Sequence, residues 1–190
     1  MRKTTRGITA LFTAVALTLS MTLNAAADRV SVGDTDGGVA APRSSSNIAM
    51  LQRQYPNGSR FTGSYDGAYQ CMGFAYYCYY MYNDDHVNET ISDGSRSYYS
   101  LVSNSNLENF LRTAGTQCYV RGRTSNGVDH SIFIVGYSTR NKTVTVYDCN
   151  MDGNCGVRFD TYSYDDFRIH MRSVLFCYTS DGVFLDYQVF

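Results

Sequence analysis

The chain of 190 residues has no tryptophan, only two prolines and only three histidines. With so few histidines, and no recognisable ligand spacing although His86 follows Asp84 and Asp85, neither a metal nor a cofactor is expected. Charged residues make up 17% of the sequence, and nowhere do Lys and Arg form a run. Phosphate backbones are bound by clustered cations, so nucleic acid is excluded as the expected partner. Beyond the first residues, no stretch reaches the roughly 20 apolar residues that a membrane helix needs.

The beginning of the chain has a different character. Arg2, Lys3 and Arg6 precede an apolar run from Gly7 to Leu23, and Ala25-Ala26-Ala27 stands before Asp28. This is the pattern of a secretory signal peptide over residues 1–27, so the protein is expected to be secreted, extracellular or associated with the cell wall. Three of the 16 basic residues and none of the 17 acidic ones fall in it, which leaves the mature chain near −4. Residues 28–47, rich in Gly, Ser, Asp and Ala, read as a flexible leader. Residues 48–190 suffice for one domain with one core, and a monomer is expected.

Tyrosine is abundant, at 17 residues. It supplies apolar area with a polar rim, and it also suits a binding cleft for sugars or peptides. The residues from Ser46 to before Pro56 read as a short helix. Cys71 to Met81 is apolar, small or aromatic throughout and reads as a central buried helix. Ser105-Asn106-Leu107-Glu108 resembles a capping box, with Gly115 as the stop of that helix. After Gly115 the period changes to that of strands, with Thr139-Arg140-Asn141-Lys142 as a hairpin loop. Helices followed by a run of antiparallel strands make an α+β domain.

Three places carry chemistry. Cys71 opens the central helix, where free N–H groups and the helix dipole favour a thiolate. His130 opens an apolar strand, and Asp148 and Asn150 close the next. Strand alternation puts Val144, Val146, Asp148 and Asn150 on one face, and a hairpin through residues 138–142 brings His130 near both polar ones. Either Asp148 or Asn150 then has the place of the group that orients the imidazole. Cys149 and Cys155 flank a turn and are candidates for a local disulfide. His86 and His170 are expected to face solvent.

Gln70-Cys71-x-Gly73-Phe74-Ala75, Asp129-His130-Ser131 before an apolar strand, and Val146-Tyr147-Asp148-Cys149-Asn150 together resemble the CHAP amidase/peptidase domain of the papain-like cysteine hydrolases. The resemblance covers roughly residues 60–160. It implies a papain-like fold of N-terminal helices on an antiparallel sheet, and cleavage of amide bonds in peptides or peptidoglycan. It also implies Cys71 as nucleophile, His130 as general base and acid, and Asp148 or Asn150 as the third member. Asp129 stands where the family carries glycine, and Tyr65 where papain-type enzymes place an oxyanion donor. Gln70, Tyr65 and Tyr69 are therefore all candidates to share that role with the Cys71 N–H. The competing expectation is a non-catalytic, tyrosine-rich module on the same scaffold, binding wall glycans or a host protein.

Overall fold

The structure, a computed structural model, describes residues 44–87 and 97–190. The signal peptide and most of the leader lie outside the described residues. The first described element, α1 (Ser44–Gln54), already overlaps the end of the expected leader. A small hairpin, β1 (Ser64–Tyr65) and β2 (Ala68–Tyr69), leads directly into α2 (Gln70–Asn83). Then follow β3 (Tyr99–Ser100), α3 (Asn104–Ala114), β4 (Cys118–Arg123), β5 (Asp129–Ser138), β6 (Thr143–Cys149) and β7 (Val157–Ser163). The short helix α4 (Tyr164–His170), β8 (Ser173–Tyr178) and β9 (Phe184–Asp186) complete the chain.

Seven strands form one antiparallel sheet in the order β3-β8-β4-β5-β6-β7, with β9 also on β8. The architecture is α+β. Alternation along the central strands divides the core in two. Tyr119, Phe133 and Tyr147 point toward α1 and α2, where they meet Leu51, Phe74 and Tyr79. Val120, Ile132, Ile134, Val144 and Val146 point to the other face, under α3 and α4. Each large side chain buried this way contributes about 1.5–3 kcal/mol before the entropy of ordering is subtracted. Tyrosine supplies part of the core here: Tyr79, Tyr119 and Tyr147 are fully buried.

Local chemistry explains the elements. In α3, Leu107, Phe110, Leu111 and Ala114 form one buried stripe at helical spacing. Its cap is Ser103, whose Oγ accepts from the Asn106 N–H at 3.1 Å, two residues ahead of the expected Ser105. Helix α2 is packed on more than one side, and it admits the β1–β2 hairpin closely because residue 73 has no side chain. A Cβ at Gly73 would lie 2.3 Å from the Ala68 carbonyl oxygen.

Candidate active site

The approach to Cys71 is set by backbone conformation. Asp66 and Gly67, both with positive φ, form the two-residue turn of the β1–β2 hairpin. Gln70 then takes φ 53°, a left-handed value uncommon for a residue with a side chain. Regular helix begins with Cys71, so its thiol sits among the free N–H groups of the first turn.

His130 is carried by β5, opposite Gly122 on β4. The register between β5 and β6 runs from Ser138↔Thr143 to Phe133↔Tyr147 and stops there. On either side the pairing continues, β4–β5 to Arg123↔Asp129 and β6–β7 to Cys149↔Val157. His130 and Asp148 occupy the stretch where the two central strands are no longer paired. Both side chains are buried, Asp148 completely.

The electrostatics of this place single out one cysteine. Burial raises the pKa of the Cys71 thiol. The hydrogen bond and charge of His130, the Ser131 N–H and the charge of Arg121 together outweigh it and bring the thiol below its ordinary value. Cys78, Cys118, Cys149 and Cys177 go the other way: burial raises each of them, Cys118 to about 12. For His130, burial favours the neutral ring, but Asp148 and Cys71 raise it to about 9. For Asp148, burial favours the acid, but His130 and His170 hold it ionised below its ordinary range.

Asp148 lies between two imidazoles. Its Oδ2 is 3.9 Å from His130 Nε2 and 2.9 Å from His170 Nδ1. The longer separation acts through charge and the shorter is a hydrogen bond. His170, expected in solvent, is instead buried, with its ring 4.2 Å from that of Tyr162. The Tyr164, Phe167 and His170 spacing along α4 gives the reason: the three lie on its buried side. That stripe was the signal for His170 in the sequence.

Asn150 has a different task from Asp148. Its φ is 72°, so it has left the strand. Its Oδ1 accepts from the Cys155 N–H at 2.8 Å, and its Nδ2 donates to Gln70 Oε1 at 3.1 Å. The side chain is committed to the turn after β6 and to the residue before Cys71. Of the oxyanion candidates, Gln70 is the one whose side chain is tied to the turn after β6, through Asn150. Tyr69 is 67% exposed, and the Tyr65 ring packs farther along α2 against Tyr77 and Tyr80.

Arg121 approaches Cys71 from β4. Its Nη1 donates to Ser131 Oγ at 3.2 Å, and Asp129 lies 3.5 Å from its Nη2. Asp129 also accepts from Arg123 Nε at 3.0 Å. The carboxylate at the position where the resemblance expects glycine thus serves as counter-ion to two arginines. His86 is exposed and stands 3.6 Å from Asp66. All six cysteines are free thiols, so the bridge expected between Cys149 and Cys155 is not formed. Cys149 instead faces the core while the Cys155 backbone is tied to Asn150. Among the described residues no side-chain cluster has the arrangement of a metal site.

Comparison with protein-family models, with curated proteins and with solved structures gives no match.

Proposed function

We propose that the protein is a cysteine hydrolase of papain-like type that cleaves amide bonds in peptides, with peptidoglycan peptides as the candidate substrate. The observation that carries this reading is the convergence of Cys71, His130 and Asp148 from α2, β5 and β6, with Cys71 shifted toward the thiolate. Buried structural cysteines are shifted the opposite way, as four others here are. A helix that presents a thiol against an antiparallel sheet carrying the histidine supports the papain-like assignment.

The chemistry follows from the positions. Cys71 Sγ attacks the amide carbonyl carbon, and the carbonyl electron pair moves onto oxygen. The Cys71 N–H is the first donor to that oxyanion in this reading, and the Gln70 side-chain amide, whose Oε1 accepts from Asn150, is the candidate second donor. The His130 imidazolium gives its proton to the leaving amine as the C–N bond breaks. Because Nε2 faces Asp148, Nδ1 is the ring atom left for the thiol. The thioester formed on Cys71 is then attacked by water, His130 takes the water's proton, and the thiolate departs with release of the acid. Asp148 keeps the imidazolium charge favourable throughout.

The test is digestion of purified peptidoglycan and of a mixed peptide library, with the products read by mass spectrometry. Wild-type protein is expected to release new amino termini and Cys71→Ala to release none. Equal cleavage by both would remove Cys71 from the mechanism. No cleavage by either would favour the binding module.

A further inference from the structure

We infer that His170 is a positioning residue: its Nδ1–H holds the Asp148 carboxylate toward His130, so that a His130–Asp148–His170 chain stands behind the nucleophile. This rests on the hydrolase reading of the Cys71 site.

A carboxylate only accepts, so the 2.9 Å contact makes His170 Nδ1 the donor to Asp148 Oδ2. It is the only hydrogen bond of ordinary length to the Asp148 side chain among the described residues: His130 is 3.9 Å away, and Oδ1 is buried without a partner. The direction in which Asp148 faces is therefore fixed from the His170 side. The fold supplies what this requires. Ser163 caps α4 by accepting from the Asp166 N–H, and the Met171 N–H closes the helix on the Phe167 carbonyl. The Tyr162 ring packs against the imidazole at a tilt of 36°. Gly122, opposite His130, leaves the space next to His170: a Cβ there would lie 2.4 Å from Met171 Sδ and 2.0 Å from the Ser173 carbonyl oxygen. Any side chain at residue 122 would displace the segment that follows His170.

The ionisable groups around the chain come from every neighbouring element. They are Cys71 on α2, Arg121 on β4, Cys149 on β6, and Arg158, Asp160 and Tyr162 on β7, with Asp165, Asp166 and Arg168 on α4 itself. Burial raises both Tyr162 and Cys149, so both stay neutral at the pH of the site's chemistry. The Arg168 charge is taken up by Asp165 at 2.6 Å. Loss of the His170 N–H thus acts on Cys71 through Asp148 and His130. A carboxylate that loses a donor is ionised less readily, and a less available carboxylate supports the imidazolium less. The pH window in which Cys71 is thiolate and His130 is imidazolium narrows from both sides.

The experiment compares His170→Phe, which keeps a ring against Tyr162, with His170→Asn, which keeps a short N–H donor. Iodoacetamide labelling of Cys71 is followed from pH 5 to 10 by peptide mass spectrometry, with thermal melts as a check on folding. In His170→Phe the acid midpoint should rise and labelling at pH 7 should slow about tenfold, while His170→Asn stays within about threefold of wild type. A wild-type profile in His170→Phe, or equal impairment in both variants, would overturn the inference. A second measurement does not depend on His170→Phe folding. In ¹⁵N-histidine-labelled protein, a low-field Nδ1–H signal should persist in His130→Ala and vanish in His170→Asn, and its absence from both wild type and His130→Ala would equally overturn it. The labelling profile is independent of cleavage. A normal profile without cleavage therefore contradicts the hydrolase reading, and cleavage with a profile indifferent to His170 contradicts this one.

Discussion

A thiol attacks as its thiolate, so the contest between burial and neighbouring charge decides which cysteine reacts. At Cys71 the imidazole, an amide and a guanidinium win over burial. At Cys78, Cys118, Cys149 and Cys177 burial wins. Replacing His130 by Ala removes the largest favourable neighbour, and Cys71 labelling by iodoacetamide at pH 6–7 should slow by about tenfold or more. Asp148→Asn keeps the shape and removes the charge. It leaves the buried imidazolium with the Cys71 thiolate as its one remaining counter-charge, at a cost of up to about 3–5 kcal/mol by the usual measure of a broken buried pair. Hydrolysis should fall by about 10²–10⁴-fold, and urea denaturation should show the lost stability. The pH profile has a definite sign. His130 is raised to about 9, so it is imidazolium below that pH and loses its proton above it. Cys71 is lowered, so the thiolate is present well below the ordinary thiol range. The rate of peptide cleavage should therefore be high at neutral pH and fall as pH rises through about 9.

Elements place these residues by features only partly visible in the sequence. The start of α2 within one residue of Cys71, the stop of α3 at Gly115 and the strand carrying Asp148 are all where residue patterning puts them. Asn150 is not, because strand alternation holds only while the backbone is extended, and it ends one residue earlier at Cys149. His170 escaped because Asp165, Asp166 and Arg168 make α4 look solvated, although Tyr164 and Phe167 mark a buried side. Close approach of the hairpin to α2 depends on Gly73. Gly73→Ala sets a Cβ 2.3 Å from a backbone oxygen that has little freedom to move. It should lower stability by about 1–3 kcal/mol or more in thermal unfolding, and displace the segment that presents Cys71.

Over the whole molecule, the sheet is the frame on which one face builds the Cys71 helix and the other builds α4. Alternation in β6 was legible, but the two separate cores, where one was expected, and the partner of each face were not, since both depend on chain topology. The expected Cys149–Cys155 bridge fails for a related reason. Cys149 is one of four cysteines buried within the two cores, where they pack as small apolar side chains. Six thiols should accordingly react with Ellman's reagent in denaturant without any reductant. A count of four or fewer would contradict the free-thiol description. Long-range tyrosine contacts tie the frame together: Tyr79 Oη donates to the Thr179 carbonyl at 2.7 Å, joining α2 to the β8–β9 connection. Tyr79→Phe should cost about 1 kcal/mol.

The measurement closest to the central claim is the pH dependence of Cys71 alkylation in the intact protein, resolved from the other cysteines by peptide mapping. The Cys71–His130–Asp148 arrangement predicts rapid labelling of Cys71 at pH 6, ahead of every buried cysteine, and a marked loss of that labelling in His130→Ala. Labelling of Cys71 that rises only near pH 8.5–9, as for an ordinary thiol, and is indifferent to His130 would contradict it.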